Sequence, residues 1–306
     1  MAQLSDDCFA GAERLITTSE ALDILAARIS PVADEESIPL RAAIGRILAE
    51  DVTSSVNVPP HDNSAVDGYA VFFDDLADDG PSALPVAGRA AAGHPMDLTV
   101  RQGEAVRIFT GAPMPEGLDT VLMQEDCAEE DSRVTIPPGI KRGANRRAAG
   151  EDVTAGQVIL TRGTRLRPQE IGLAAAVGLT ALKVYQRVSA AVFSTGEEVE
   201  EPGGELPPGK IYDSNRFTII TALERLGCAV DDLGILPDRP EEIASAIRAA
   251  AETHDVLLTS GGMSVGEEDH VGQAVSANGA LHFWRLAIKP GRPVSLGQIQ
   301  AGDRSA

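Results

Sequence analysis

Basic residues are scarce in this chain. Its 306 residues carry 26 lysines and arginines against 46 aspartates and glutamates, a formal net charge of −20. Non-specific binding to nucleic acid or to an anionic membrane needs a positive face, so this balance argues against both. An anionic ligand would need a locally basic pocket. Aromatic residues make up only 4%, which predicts aliphatic, alanine-rich cores. The three cysteines, Cys8, Cys127 and Cys228, are far apart and form no C-x-x-C pair. That spacing suggests neither a disulfide framework nor a zinc site, and a reducing cytoplasm fits best. The five histidines show no metal-ligand spacing. No charged segment followed by a short apolar one opens the sequence, and no apolar run is long enough to span a bilayer. There is no internal repeat and no low-complexity tract.

What is present is the composition of an ordinary globular protein, 43% hydrophobic and 24% charged, with length for two or more domains. Residues 1 to 18 carry no periodicity. Ser19 is placed to cap a helix bearing Leu22, Leu25 and Ile29, stopped by Pro31. A second helix is expected with Ile44, Ile47 and Leu48 on one face. From Val56 to Pro138 short apolar runs are cut by Gly, Pro and Asp at regular intervals, the texture of a small β domain. Pro168 and Gly178 bracket a further helix. From Val188 the pattern becomes βαβαβ. Strands run over Val188 to Phe193, Val230 to Leu236 and Val256 to Leu258. The first helix is capped by Ser214, carries Ile219, Leu223 and Leu226, and is closed by Gly227. The second carries Ile243, Ala246, Ile247 and Ala250. This alternation implies a parallel sheet covered on both faces. Ligands bind such sheets at the carboxyl ends of the strands.

Those ends carry the chemistry. The run from Asp255 to Asp269 leaves an apolar strand into Ser260, Gly261, Gly262, Ser264 and Gly266, then three acids. Glycines there let a ligand approach the backbone, and their N–H groups can form an anion nest. A tight loop with solvated acids would look the same. Ser194 to Glu198 and Pro237-Asp238 occupy two further strand ends. Lys289, Pro290, Gly291 and Arg292 form a stiff cationic loop suited to a phosphate or other oxyanion. Asp213, Ser214 and Asn215 can grip a polar ligand, although helix capping accounts for Asp213 and Ser214, and a capping box for Asp238, at least as well. Elsewhere, Lys141 to Arg147 packs four cations ahead of Asp152, where they either steer an oxyanion or make surface ion pairs. Asp67 with Gly68 reads as a cleft carboxylate or an Asp-Gly turn. Thr110 sits in a turn-rich strand exit and can present its hydroxyl to a substrate.

Taken in order, D-N-S-A-V-D-G-Y-A, F-T-G-A-P-M-P, N-R-R-A-A-G-E-D, F-S-T-G-E-E, Y-D-S-N-R, S-G-G-M-S-V-G-E-E-D and K-P-G-R-P resemble the MoeA family over roughly residues 19 to 300. That family includes molybdopterin molybdenumtransferases and the E domain of gephyrin. The resemblance implies a multidomain α/β plus β chain. It places a discontinuous hinge domain at 19–55 and 141–185, an inserted β domain at 56–140, and an α/β molybdopterin-binding domain at 186–306. That last domain would be incomplete, with the family's C-terminal β domain absent, because a Pro-Gly-Asn-Pro motif and further strands would lie past Ala306. It implies a homodimer that inserts molybdate into adenylylated molybdopterin, releasing AMP with Mg2+ assisting. Matched by position, the family's functional acids fall on Asp67, Asp152, Glu198, Asp238 and Asp269, with Thr110 beside them. Asp238 and Asp269 are the expected metal ligands, and Lys289 with Pro290 matches the oxyanion-binding Lys-Pro. Arg292 stands where the family often shows lysine, which keeps the charge and changes its geometry. A non-catalytic binding or scaffold protein with the same fold is the alternative. A stand-alone nucleotidyl transferase fits less well, because the β domain and paired hinge segments have no place in it.

Overall fold

The structure is a computed structural model that describes residues 15–29, 31–94, 96, 99–261, 270–288, 293–301 and 304–305. It divides into two compact units, one of residues 37–184 and one of residues 1–36 with 185–306.

In the 37–184 unit, a six-stranded sheet holds Thr120–Met123, Gly68–Val71, Ala105–Ile108, Ser82–Ala90, Arg133–Ile136 and Ala128–Glu130 in that spatial order. The expected short-strand domain is therefore present. Strand Arg133–Ile136 alternates, with Val134 and Ile136 buried, while strand Gly68–Val71 is buried along its whole length. Two aliphatic clusters flank the sheet, one around Val106, Ile108 and Val121, the other around Val71, Leu122 and Val134. A separate core joins Ala43, Leu48 and Val52 to Leu160, Leu166, Ala174, Leu182 and Val184, two stretches far apart in sequence.

The helix expected around Ile44, Ile47 and Leu48 does not form. Only a 3-10 turn, Leu40–Ala42, is present, and Gly45 follows at φ +74, a left-handed conformation that ends any helix. Leu48 is fully buried, while Ile44 and Ile47 remain exposed. The helix Pro168–Ala176 forms as its flanking residues predict, with Gly178 at φ +85 just beyond its end. Its first turn is locked by Glu170, which accepts from the Arg167 backbone N–H at 2.8 Å and from Arg167 Nη2 at 2.6 Å.

In the other unit, three parallel strands lie in the order Ala229–Leu236, Ser189–Thr195, Val256–Ser260. The first strand in sequence is thus central, and Ala190 to Thr195 are all buried. The helices Pro240–Ala251 and His270–Asn278 bury Ile243, Ile247, Ala251, Val271, Ala274 and Val275 against Phe193 and Ile299. A four-stranded sheet follows, in which Gly279–Leu286 pairs antiparallel with Pro293–Ala301 and parallel with Leu15–Ile16.

Two details of this unit differ from the sequence expectation. The N-terminal helix, Thr18–Arg28, is capped by Thr17 in a reciprocal box with Glu20, not by Ser19, and buries Ala21 while Leu22 is 65% exposed. The helix Asn215–Leu226 buries Arg216 in place of its expected stripe, leaving Leu226 63% exposed. Gly227 closes that helix at φ +98 as predicted.

Arg167 pulls the Glu170 carboxyl down to about 2 from an ordinary 4.5 through its side-chain hydrogen bonds, which outweigh the opposing effect of burial. A carboxylate with a depressed folded pKa stabilises above its unfolded pKa and loses that contribution as pH falls through the folded value. Glu170→Gln should therefore lower the unfolding midpoint of the full chain at pH 7. The difference from wild type should shrink steadily between pH 4.5 and pH 2, as melting monitored by circular dichroism would show.

Candidate functional site

Two groups of predicted residues lie on described backbone, one in each unit. In the 37–184 unit, strand Gly68–Val71 follows Asp67 directly, and strand Ala105–Ile108 ends two residues before Thr110. These strands pair antiparallel, with Gly68 opposite Ile108. That register brings Asp67 to Thr110: Asp67 Oδ1 accepts from the Thr110 backbone N–H at 2.8 Å and from its hydroxyl at 2.7 Å. These two bonds, led by the backbone one and helped by the Arg107 charge, hold the Asp67 carboxyl below its usual range despite the opposing effect of desolvation. Asp67 is an anion at neutral pH with Oδ1 occupied. The Asp-Gly step is not a turn: Gly68 opens a strand, where a Cβ would collide with Leu122 O, and Asp67 is left at the strand's start.

Asp152 reaches the same neighbourhood along another path. The short strand Arg146–Arg147 pairs with Asn63–Ser64, and Ser64 O accepts from Gly111 N at 2.8 Å. Arg147 Nη2 donates to both Asp152 oxygens at 2.7 Å, and Arg147 Nε reaches Glu151 Oε1 at 3.3 Å. The basic cluster therefore does engage Asp152, through Arg147. Arg146 pairs with Asp62 at 3.4 Å, and Arg142 with Asp119 and Asp74.

In the second unit the carboxyl end of strand Ser189–Thr195 runs into Gly196 at φ +133. Glu198 folds back over this glycine, so a Cβ there would lie 2.6 Å from Glu198 Oε2. On the adjacent strand, Gly261 at φ +96 passes so close to Thr195 that a Cβ would meet Thr195 O at 2.5 Å. Only glycine fits that approach. The buried hydroxyls of Thr195 and Thr259 have no hydrogen-bond partner among the described residues. Buried hydroxyls normally have partners, so two unpaired ones at a strand end are available to a polar ligand or to water.

The Asp213-Ser214-Asn215 segment is fixed by Arg216, a residue that the sequence reading had quoted in Y-D-S-N-R and given no role. Arg216 is 2% exposed and donates from Nε to Asp213 Oδ2 at 2.9 Å, with Nη1 and Nη2 on Asp232 and Glu201. Asp213 Oδ1 accepts the Arg216 backbone N–H at 3.1 Å, which makes Asp213, not Ser214, the group that caps this helix. Burial alone would raise the Asp213 carboxyl, but the Arg216 hydrogen bonds and charge prevail and hold it low. Asn215 Nδ2 donates to Ser260 Oγ at 3.0 Å and so ties this segment to the start of the glycine-rich loop.

Asp238 does not cap the next helix. Arg239 is the N-cap residue, with no side-chain capping bond, and Asp238 stands half-buried at the carboxyl end of strand Ala229–Leu236 with no hydrogen bond or ion pair among the described residues. Gly262, Ser264, Gly266, Asp269, Lys289, Pro290, Gly291 and Arg292 lie outside the described residues. Among the described residues, no three His, Cys, Asp or Glu side chains form a metal-binding group, and no helix is long and apolar enough to cross a membrane.

Comparison with known proteins adds three findings. The family model for the MoeA N-terminal region (domain I and II) matches residues 16–178, and that for a probable molybdopterin binding domain matches residues 191–305. A molybdopterin molybdenumtransferase of Haemophilus influenzae is 42% identical over 94% of this chain and 70% of its own length; one from Nostoc sp. is 37% identical over 91% and 65%. The crystal structure of the molybdopterin biosynthesis MoeA protein from Pyrococcus horikoshii OT3 superposes with a TM-score of 0.80 at 32% identity, covering 93% of this chain and 72% of that one. This chain thus spans about two thirds of the length of the curated relatives it matches.

Arg216 is the residue whose loss this half of the site tolerates least. Arg216→Met leaves the buried Asp213 carboxylate without its cation, and breaking a buried pair costs roughly 3–5 kcal/mol. Denaturant unfolding should show that loss. Asp213→Asn combined with Arg216→Met should recover part of it, because the stranded charge is gone.

Proposed function

This chain belongs to the MoeA family, and we propose that it inserts molybdenum from molybdate into adenylylated molybdopterin, releasing AMP. The observation that carries this reading is the cradle at the strand ends. Gly196 and Gly261 take backbone conformations that clear the space beside Thr195, two buried hydroxyls lack partners there, and Asn215 holds Ser260 in place. Such a cradle suits a polar, phosphorylated ring system whose oxygens need donors at close range. Lys289 and Arg292 would add the fixed cations that a phosphate and molybdate require in an acidic chain.

Mg2+ fits the donor set. It takes one or two carboxylates, completes its shell with water and substrate phosphate, and needs no all-protein cage. The half-buried Asp238 carboxylate at a strand end would offer one oxygen ligand; Asp269, the other expected ligand, lies outside the described residues. The ion would offset phosphate charge as AMP departs. The chain's own residues orient and exchange protons. Asp67, ionised and fixed through one oxygen, keeps Oδ2 for a proton or a ligated oxygen. Thr110 fixes the direction of that oxygen. Asp152, bound at both oxygens by Arg147, orients. Glu198 stands over the Gly196 turn at the mouth of the cradle. A homodimer, in which each subunit completes surface that the inserted β domain cannot bury alone, is part of the same proposal. A non-catalytic scaffold would keep the folds and have no need for the uncommitted carboxylates at Asp67 and Asp238.

The test is AMP release from adenylylated molybdopterin by the full chain with molybdate and Mg2+. Thr110→Ala should lower turnover by about 10²-fold if it aims a proton-transfer group, while the unfolding midpoint hardly moves, since Thr110 is exposed. Asp238→Ala should cut AMP release and leave stability within about 0.5 kcal/mol of wild type, as for a surface position. Full activity in both variants would remove these residues from the reaction. Binding of adenylylated molybdopterin by wild type without any AMP release would favour the scaffold.

A further inference from the structure

Several arginines in this acidic protein meet carboxylates, but Arg89 and Arg107, on the six-stranded sheet, have no carboxylate ion pair among the described residues. Arg89 and Arg107 are register partners on the parallel strands Ser82–Ala90 and Ala105–Ile108, and Tyr69 is the partner of Arg107 on the other side. Cross-strand partners share one face of a sheet, so two cations stand side by side. The Phe109 ring lies against both: the Arg89 guanidinium is 4.4 Å from its centroid and that of Arg107 is 4.9 Å. Arg107 also lies 5.0 Å from the Tyr69 ring. Arg107 spends its polar contacts on the neutral oxygens of Gly68 and Gln124. Arg89 has no hydrogen-bond or ion-pair partner among the described residues and is exposed.

Like charges placed opposite each other on a sheet destabilise it. Ring faces hold guanidinium groups in position without using up their N–H donors. The result is a pair of preoriented guanidinium groups, Arg89 with no donor engaged among the described residues and Arg107 with those not bonded to Gly68 and Gln124, in a protein where 46 acidic side chains were available to neutralise them. The platform leads directly into Thr110, the residue after Phe109, and so into the Asp67–Thr110 pair.

We propose that Arg89 and Arg107, stacked on Phe109, form a binding platform for a tetrahedral oxyanion, either the phosphoryl group of a nucleotide ester or a free oxyanion such as molybdate. The inference rests on the molybdenum-insertion reading for the identity of these two sources, and on the geometry of the β domain for the site itself. Guanidinium forks match the paired oxygens of such ions. The Asp67 carboxylate offsets part of the Arg107 charge, which leaves Arg89 the freer cation of the pair.

The experiment is titration calorimetry on the full chain with AMP, inorganic phosphate and molybdate as separate probes. It compares wild type, Arg89→Glu, Phe109→Leu and, as a control of equal charge change on the same sheet, Arg133→Glu. At least one probe should bind wild type and Arg133→Glu alike, and lose tenfold or more in affinity with Arg89→Glu and a smaller factor with Phe109→Leu. Tighter binding of AMP than of molybdate identifies a nucleotide ester, and the reverse a free oxyanion. A merely structural role would show in stability, yet Arg89→Glu places a carboxylate beside Arg107 and should keep or raise the unfolding midpoint while binding falls. Equal affinity in wild type and Arg89→Glu, or no binding of any probe to wild type, overturns the proposal. Adenylylated molybdopterin is titrated in parallel. If wild type and Arg89→Glu bind it equally and no probe depends on Arg89, the platform fails and the molybdopterin reading stands. If the probes depend on Arg89 but wild type does not bind adenylylated molybdopterin, the platform stands and that reading fails.

Discussion

A surplus of negative charge governs how this protein is built. With formal charge −20, every carboxylate brought close to another needs a cation, and cations are few. The structure meets this by giving single arginines several acids. Arg142 spans Asp74 and Asp119, Arg147 spans Glu151 and Asp152, and Arg216 gathers Asp213, Asp232 and Glu201. Exposed pairs of this kind contribute little to stability. Arg216 differs because it is buried, and desolvation makes its partners depend on it. Its three carboxylates come from a loop, a helix start and a neighbouring strand, so one guanidinium fixes the backbone from which Asn215 reaches Ser260.

The sheet topology then decides where chemistry can occur. Because strand Ser189–Thr195 is central and parallel to both neighbours, its carboxyl end and theirs open on the same edge. The backbone there must turn sharply. Gly196 and Gly261 take the conformations that allow it, and the absence of their Cβ atoms is what leaves the cradle open. In the inserted sheet the same logic runs through antiparallel pairing. The register of Gly68 with Ile108 sets Asp67 against Thr110, residues 43 positions apart in sequence.

Much of this was legible in the sequence where local pattern and global fold agree. The alternation of apolar strands with the Ile243, Ile247 and Ala250 helix stripe marked the parallel sheet, and the regular Gly and Pro punctuation marked the short strands of the six-stranded sheet. Ile44, Ile47 and Leu48 misled because a helical spacing of apolar residues cannot register that Gly45 takes a left-handed conformation. Ser214 misled because it has the right chemistry for a cap, while its neighbour Asp213 can satisfy both the helix N–H and the Arg216 guanidinium. No periodicity could have announced Arg216 as the buried face of its helix, since a buried arginine is intelligible only once its three acids, up to 16 residues away, are seen to converge. The stacked pair of Arg89 and Arg107 was hidden for the same reason: its meaning lies in a parallel register.

The acids within the family motifs are therefore not equivalent. Asp152 has both oxygens on Arg147, and Asp213 is buried with both oxygens on Arg216. Asp213 is held in its charged form by these bonds, because protonation would cost it charge-assisted hydrogen bonds. Asp67 keeps one oxygen uncommitted, and Asp238 stands at a strand end without a capping bond. The proposed reaction, in which the phosphoanhydride to AMP is cleaved and molybdate exchanges oxygens for the dithiolene sulfurs, needs groups that can change partners as well as groups that cannot. Arginine pairing assigns Asp152 and Asp213 to the fixed class and leaves Asp67 and Asp238 in the exchangeable one. An acidic protein with few cations thus divides its carboxylates by where it places its arginines.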